Sequence, residues 1–225
     1  MSLAAITVAG RWLLADRSGA LLWPEHGLLV IADLHFEKGS AFARHGQLLP
    51  PYDTRSTLDA LEAVLARLRP RRVVSLGDGF HDVAGSARLD AAEAARLQRL
   101  VRAHDWIWVL GNHDPAPPEA LGGRGEEAVE IDGLTLRHAP APGRPVGEVA
   151  GHLHPVARLH RRGRCVSRAC FVGDPARLVL PAFGAYTGGL DVRDGAIRGL
   201  FGPAPAAWLL GRRAVHRLPV AHLEA

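Results

Sequence analysis

Histidine, aspartate and asparagine occur together in five short motifs of this sequence. In chain order the motifs are Asp33-Leu34-His35, Gly77-Asp78, Gly111-Asn112-His113-Asp114, a single His138 and Gly151-His152-Leu153-His154-Pro155. Imidazole nitrogens combined with carboxylate and amide oxygens suit Mn, Fe or Zn better than Ca or Mg, which prefer all-oxygen shells. The motifs therefore predict a site for divalent transition-metal ions.

The succession of the motifs strengthens this prediction. One Asp-x-His or one lone histidine is a weak signal, because such residues often belong to the core or the surface. Five motifs in order are hard to explain by packing, since burying so many Asp and His side chains without a cation would leave them desolvated and unpaired. If Asp33 and His35 lie at a strand end, their side chains point to the same side, because alternate residues of a strand point alike.

Buried strands are predicted directly before three of the motifs. Each is a brief apolar run that ends in polar residues, and the runs cover 28–31, 72–76 and 106–110. Open α/β sheets bind their ligands at the carboxyl ends of the strands, which is where the motifs follow.

Two helices are predicted between these strands, over residues 52–69 and 90–103. In the first, leucines recur on one face, with Asp53 as the predicted N-cap and Pro70 as the stop. Strands that alternate with helices favour neighbouring parallel strands joined by right-handed crossovers.

The pattern changes after Gly125, where short alternating runs are separated by Gly and Pro turns. The runs cover 128–131, 134–138, 156–160, 165–172 and 177–180. This half is predicted to be mostly antiparallel β-structure. No linker divides the chain, so we expect one α/β domain with two sheets, helical in its first half.

The composition excludes several classes of protein. Of the 225 residues 48% are hydrophobic and 22% are charged, which is typical of a folded globular chain and not of a disordered one. No apolar run is long enough to span a membrane, and residues 1–14 do not resemble a secretion signal. With only Cys165 and Cys170, a disulfide framework is not expected, and the predicted location is a reducing cytoplasm.

The charge balance permits two interpretations. The chain carries a formal net charge of +4, and all of its 27 basic residues except Lys38 are arginines. Arginine binds phosphate bidentately, which favours a polyanion such as nucleic acid as partner. GC-rich codon usage produces the same composition, so charge alone assigns no partner.

The five motifs together resemble the signature of the calcineurin-like metallophosphoesterases. Four longer segments, 32–38, 76–82, 136–140 and 181–189, further resemble the bacterial ligase-associated DNA damage response endonucleases. The resemblance covers most of the chain. It implies a four-layer αββα sandwich, with two mixed β-sheets flanked by helices, and residues 1–225 as a single metallophosphoesterase domain.

The resemblance also implies a two-metal site. The first ion would be held by Asp33, His35, Asp78 and His154, and the second by Asp78, Asn112, His138 and His152. Mn²⁺ is the expected metal, with Fe and Zn as alternatives, and Asp78 would bridge the two ions. Paired metals of this kind share a hydroxide and clamp the phosphate oxygens during in-line displacement.

Two further catalytic residues are implied. His113 would act on the leaving oxygen, either as a general acid or as a charge stabiliser. Asp114 is expected to orient His113 through its free ring nitrogen.

The implied activity is that of a cytoplasmic phosphodiesterase or endonuclease that hydrolyses nucleic-acid phosphodiester bonds in DNA repair, in association with a DNA ligase and other repair enzymes. One alternative is a phosphomonoesterase that acts on a small metabolite, a nucleotide or a phosphoprotein. Another is a non-catalytic scaffold, against which the complete ligand set and the retained His113 argue.

Several residues near the motifs allow two roles each. His81 and Asp82 either contact substrate or, for Asp82, cap the next element. Lys38 contacts phosphate or lies on the surface, and Tyr186 stacks on a base or packs. A group of arginines would either track a phosphate backbone or form the exposed face of an edge strand. These are Arg158, Arg161, Arg162, Arg164 and Arg168.

Overall fold

The computed structural model of the chain describes residues 3–161 and 164–223. Seven strands form the first sheet, and their order in the sheet is their order in the chain. They are β1 (Ala4–Val8), β2 (Arg11–Ala15), β3 (Leu21–Trp23), β4 (Leu28–Ala32), β5 (Arg72–Leu76), β6 (Asp105–Val109) and β7 (Arg124–Glu126). Strands β1 to β4 are antiparallel and β4 to β7 are parallel, so the sheet is mixed.

Helices connect the parallel strands of the first sheet. The α-helices are α1 (Lys38–Ala43), α2 (Asp53–Leu68), α3 (Gly85–Arg88), α4 (Ala91–Arg102) and α5 (Gly195–Arg198), and 3-10 turns cover Pro24–His26, Glu119–Leu121 and Val220–Leu223. Leu58 and Leu61 of α2, with Leu97 and Val101 of α4, are buried against the outer face of the first sheet. This burial stabilises both crossovers, because each apolar side chain removed from water contributes roughly 1.5–3 kcal/mol.

The second sheet contains the remaining strands. They are β8 (Ala128–Ile131), β9 (Leu134–Arg137), β10 (Glu148–Ala150), β11 (Val156–Arg161), β12 (Arg164–Gly173), β13 (Arg177–Val179), β14 (Ala206–Leu210) and β15 (Val215–Pro219). The order is β15-β14-β12-β13-β10-β9-β8, with β11 paired to β12. Strand β10 is parallel to both β9 and β13, whereas the other pairs are antiparallel. The chain passes from the first sheet to the second at Glu127.

The main core lies between the two sheets. Val74 and Ile107 of the first sheet pack in one buried cluster with Leu136 and Phe171 of the second. A smaller cluster, including Ile197 of α5, covers the outer face of the second sheet. The layers are therefore helices, sheet, sheet and a thin outer layer of short helices, which confirms the predicted αββα sandwich.

Three details differ from the sequence-based expectations. Asp53 is not the N-cap of α2: Tyr52 holds that position, and the Asp53 Oδ2 instead accepts a hydrogen bond of 2.9 Å from the Gly39 amide. The three N-terminal strands extend the predicted parallel sheet. Strand β10, which the sequence does not predict, lies between two parallel neighbours, while the other pairs of the second sheet are antiparallel as expected. Among the described residues, no helix has the length and apolar character to cross a membrane.

Candidate metal centre

Each of the five motifs begins just beyond the end of a strand. Asp33 follows β4, Gly77 follows β5 and Gly111 comes two residues after β6. In the second sheet, His138 follows β9 and Gly151 follows β10. Side chains from both sheets are thereby brought to one place.

The backbone of the motifs is unusual, because five of the predicted ligands have a left-handed conformation. Their φ angles are +54° at Asp33, +44° at His35, +44° at Asp78, +71° at His152 and +46° at His154. For residues other than glycine this conformation costs roughly 1–2 kcal/mol each, and such strain concentrates at functional sites. The predicted reason for the convergence of Asp33 and His35 is therefore wrong. Strand β4 ends at Ala32, so the two residues are not in a pleated strand, and both have positive φ angles instead.

The first group of ligand atoms combines Asp33 and His35 with His154. The Nε2 atoms of His35 and His154 are 3.3 Å apart, and the His154 Nε2 is 3.4 Å from the Asp33 Oδ1. All of these atoms lie within 4.8 Å of one another, which is close enough for one cation to contact each of them.

The second group combines Asp78, His138 and His152. The His138 Nε2 lies 3.1 Å from the His152 Nδ1 and 3.5 Å from the Asp78 Oδ2. The amide oxygen of Asn112 is 2.9 Å from the same Nε2 atom. The structure thus brings together all seven residues that the sequence predicts as ligands.

Asp78 lies between the two groups. Its Oδ2 is 3.8 Å from the His35 Nε2 and 3.5 Å from the His138 Nε2, so it faces both. Its Oδ1 accepts a hydrogen bond of 3.0 Å from the His113 amide, which fixes the carboxylate. This position is the one that a bridging ligand requires.

The burial of the carboxylates fits a bound cation. Asp33 has no exposed surface and Asp78 is 2% exposed. The Asp33 Oδ2 accepts from the His152 amide at 2.9 Å, but the Asp33 Oδ1 is buried without a hydrogen-bond donor. Burying an uncompensated charge costs several kcal/mol, so a dication at this oxygen would remove a large penalty.

The protonation of two of the histidines also fits metal binding. Burial, assisted by the charges of His154, His81, His113 and Lys38, lowers the pKa of His35 to about 2. Burial likewise lowers the pKa of His152. Burial opposes protonation of His154 as well, but the neighbouring Asp33 and Asp78 carboxylates outweigh burial and raise its pKa, so a metal ion would have to displace a proton from this ring. A neutral imidazole keeps the lone pair that a metal requires.

Backbone carbonyls orient three of the rings. The Nδ1 atoms of His138, His154 and His113 lie 3.0, 3.2 and 2.8 Å from the carbonyl oxygens of Leu76, Gly188 and His81, respectively. Because a carbonyl only accepts, each Nδ1 carries the proton and donates it. When these rings are neutral, the Nε2 atoms of His138 and His154, which face the ligand groups, carry the lone pair.

Two glycines make the close approach of the loops possible. A Cβ atom at Gly77 would lie 2.3 Å from the His138 Nδ1, and one at Gly111 would lie 2.2 Å from the Asp78 amide nitrogen. Side chains at these positions would displace a predicted ligand, so the motifs require glycine there.

The predicted contact between Asp114 and His113 is wrong. The His113 Nδ1 is bonded to the His81 carbonyl, and Asp114 instead accepts from the Phe80 amide at 3.0 Å. Burial, followed by the charge of Asp78, raises the pKa of Asp114 to about 7. Asp114 therefore positions the loop after Asp78, while the His113 Nε2 faces the Asp78 Oδ2 at 4.0 Å with 40% of the side chain exposed.

His81 belongs to none of the five motifs, yet it lies beside the predicted ligands. Its Nδ1 lies 3.2 Å from the His35 Nδ1, and its ring stacks on His113 at 5.1 Å with 20° between the planes. Its neighbour Asp82 has a structural role, because it accepts from the Ala84 amide and forms a bidentate pair with Arg88. The sequence signal for His81 is its position three residues after Asp78, and its predicted contact with substrate stays a prediction.

The arginines that follow the last motif have mixed roles. Arg158 lies 3.9 Å from the Asp191 carboxylate, and Arg168 is exposed and donates to the Ser167 carbonyl. The side chains of Arg161, Arg162 and Arg164 lie outside the described residues.

Two packed sheets with paired His/Asp groups beyond their strand ends form a candidate metal centre of the kind that hydrolyses phosphoric esters. The chain belongs to the calcineurin-like phosphoesterase family, whose sequence profile matches residues 27–166. Its fold is similar to the crystal structure of the nuclease MPE from Pseudomonas putida, with a TM-score of 0.76 and 28% identity over 96% of this chain and 100% of that one. This similarity agrees with the endonuclease resemblance of the sequence.

More distant structures include the phosphoesterase Yfce from E. coli, with a TM-score of 0.42 and 15% identity over 86% of this chain and 98% of that one. The protein AQ665 of unknown function from Aquifex aeolicus has a TM-score of 0.39 and 17% identity over 60% of this chain and 81% of that one. No curated protein matches the chain.

Proposed function

We propose that this protein is a two-metal phosphodiesterase that cuts nucleic-acid chains in DNA repair. The observation that carries the proposal is the Asp78 carboxylate, which is buried between two groups of His, Asp and Asn ligand atoms. The similarity to a nuclease over nearly the whole chain supports nucleic acid as the substrate.

The proposed ligands are divided between two ions. Asp33, His35, Asp78 and His154 hold the first, and Asp78, Asn112, His138 and His152 hold the second. Mn²⁺ is the proposed metal, and the same donor atoms also accept Fe or Zn. When bound, two such ions neutralise the charge of a phosphodiester and lower the pKa of a bound water molecule.

His113 is the proposed proton donor to the leaving oxygen. Its Nδ1 is fixed by the His81 carbonyl, and its Nε2 faces the metal centre from a partly exposed position. It therefore reaches a bound substrate without occupying a ligand position. Asp114 contributes by holding the Gly79–Phe80 backbone, which keeps Asp78 and His81 in place.

A cytoplasmic location and a functional association with a DNA ligase and other repair enzymes belong to the same proposal. Both are supported by the resemblance of segments 32–38, 76–82, 136–140 and 181–189 to the ligase-associated endonucleases. Residues 1–225 are proposed to act as one domain.

A substrate panel tests this function. Purified protein is incubated with Mn²⁺ or with EDTA and offered circular single-stranded DNA, duplex DNA, an aryl phosphodiester and an aryl phosphomonoester. We expect metal-dependent cleavage of the diester and of DNA, and cutting of the circle would identify an endonuclease. Hydrolysis of the monoester alone would indicate a phosphomonoesterase. Two bound ions without turnover of any substrate would indicate a scaffold.

A further inference from the structure

A cleft of about 380 Å³ lies directly beside the metal centre. It is lined by Ala41, Phe42, His45, Gln47, His81 and Asp82. Its volume falls within the roughly 300–1,000 Å³ that is typical of sites for organic ligands. Because His81 also contacts His35 and His113, a group in this cleft would lie next to the reacting atoms.

The aromatic wall of the cleft does not belong to the core. Phe36 and Phe80 are buried and pack against each other, with ring centroids 5.7 Å apart. Phe42, in contrast, is half-buried, and its ring meets His81 at 5.5 Å with a tilt of 38°. Aromatic rings that remain accessible beside a polar site are suited to stacking on nucleobases.

The charges around the cleft suit a nucleotide. Asp82 would repel phosphate if it were free, but Arg88 neutralises it through two hydrogen bonds of 2.8 and 2.9 Å. The Lys38 ammonium lies 5.6 Å from the centre of the Phe42 ring and contributes a positive charge. The cleft thus combines an aromatic surface with a cation and a paired carboxylate.

We propose that Phe42 and His81 form a subsite for the base of the nucleoside that carries the leaving oxygen. The proposal rests on the proposed phosphodiesterase function. His113 is the proposed donor to the leaving oxygen, and His81 stacks on His113, so the departing nucleoside is the one nearest the cleft. Phe42 is the residue to test, because it contributes to the cleft without contacting the proposed ligands.

The test uses single-stranded oligonucleotides in which methylphosphonates replace every linkage except one phosphodiester. Three versions are compared. One has all of its bases, the second lacks the base on the 5′ side of the phosphodiester, and the third lacks the base on the 3′ side. The variants are Phe42→Ala and Phe42→Trp, and the control is Trp12→Ala, since Trp12 is an aromatic residue of β2 with 56% exposure. Bound Mn²⁺ is measured in parallel, and the cleaved product identifies which oxygen leaves.

Phe42→Ala is expected to lower kcat/KM on the complete substrate by roughly 5- to 160-fold, the range that stacking on one base supplies. It should have no effect on the substrate that lacks the base of the leaving nucleoside. Phe42→Trp keeps an aromatic surface and should recover most of the rate that Phe42→Ala loses, whereas Trp12→Ala, outside the cleft, should retain the wild-type rate and metal content. An equal loss on all three substrates would overturn the proposal. The proposal would also fail if Phe42→Ala lost rate on the substrate that lacks the base of the leaving nucleoside but not on the substrate that lacks the other base. If the wild type hydrolyses monoesters but none of these oligonucleotides, the proposed function itself fails.

Discussion

The carboxylate of Asp78 faces both groups of ligand atoms from a buried position. A negative charge at this point lowers the repulsion between two cations held close together. An amide of the same shape would keep the packing but would lose that charge. The role of Asp78 therefore depends on its charge more than on its size.

Asp78→Asn is expected to lose at least one bound Mn²⁺ and nearly all phosphodiester hydrolysis. Metal analysis and turnover of an aryl diester measure both effects. Asp59→Asn serves as the control, because Asp59 is an exposed residue of α2 whose side chain is 63% accessible. Two ions per chain with normal turnover in Asp78→Asn would contradict the bridging role.

His113→Ala is expected to keep both ions and to lose rate. General acid catalysis contributes roughly 10²–10⁴-fold, and its contribution depends on how poor the leaving group is. The loss should therefore be severe for DNA, whose leaving alkoxide is strongly basic, and milder for an aryl diester. An equal loss on both substrates would assign His113 to electrostatic stabilisation of the transition state. Loss of metal would instead place His113 among the ligands.

At this residue scale, the types and order of the side chains were sufficient to predict which residues converge. They did not predict how His113 is oriented. Its partner is a backbone carbonyl of residue 81, and carbonyls carry no sequence signal. For the same reason, the sequence indicated His81 as a substrate contact but not as a neighbour of His35 and His113.

At the scale of elements, the predicted strands and helices of the first half agree with β4 to β6, α2 and α4 within one or two residues at most ends. These elements have apolar patterns that are strong and local. Strand β10 was missed because it has three residues and begins with Glu148, whose buried charge is compensated by Arg177. A compensating partner 29 positions away cannot be identified from a local pattern. Strand β2 was missed because Trp12 and Leu14 on its outer face are apolar, so the sequence shows no alternation of polar and apolar residues.

One ion pair connects two of these elements. Asp16, directly after β2, receives two hydrogen bonds of 2.8 Å from Arg67 in the last turn of α2. Burial alone would raise the pKa of Asp16, but the bonds from Arg67 and Ser18 outweigh burial and lower it below 3.8. The pair thus stabilises the attachment of α2 to the first sheet.

Asp16→Asn is expected to lower the free energy of unfolding at pH 7 by about 1.5–3 kcal/mol, the contribution of hydrogen bonds to a charged group. Because the folded pKa is depressed, this stabilisation is fully present above the unfolded value of 3.8 and is lost as the pH falls through the folded pKa. Chemical denaturation of wild type and variant between pH 7 and pH 3 measures it. If the difference in the free energy of unfolding stays constant down to pH 3, the ionised pair is not its cause. As a control, Asp16→Asn introduced into an Arg67→Met background should have little further effect on the free energy of unfolding.

At the scale of the whole molecule, the proposed ions bind only where the two sheets meet. Since the unfolded chain does not assemble this site, each bound ion should stabilise the folded state by about 2.7 kcal/mol at 100 times its dissociation constant. For a chain of this size, that corresponds to an increase in Tm of roughly 5–10 °C.

The measurement is thermal unfolding after treatment with EDTA, with and without added Mn²⁺. Asp78→Asn, which has a weakened site, should show a smaller increase in Tm. An identical increase in wild type and Asp78→Asn would show that Mn²⁺ stabilises the protein elsewhere.

The proposed ligands are divided by the single passage of the chain from one sheet to the other at Glu127. Four of them, Asp33, His35, Asp78 and Asn112, precede this point, and His138, His152 and His154 follow it. A chain cut there would yield two fragments, each with the strands of one sheet and an incomplete ligand set. Because each proposed ion draws ligands from both fragments, hydrolysis would begin only when the fragments meet. The divided enzyme would then report proximity, because the amount of cleaved phosphodiester would measure how often the two fragments come together.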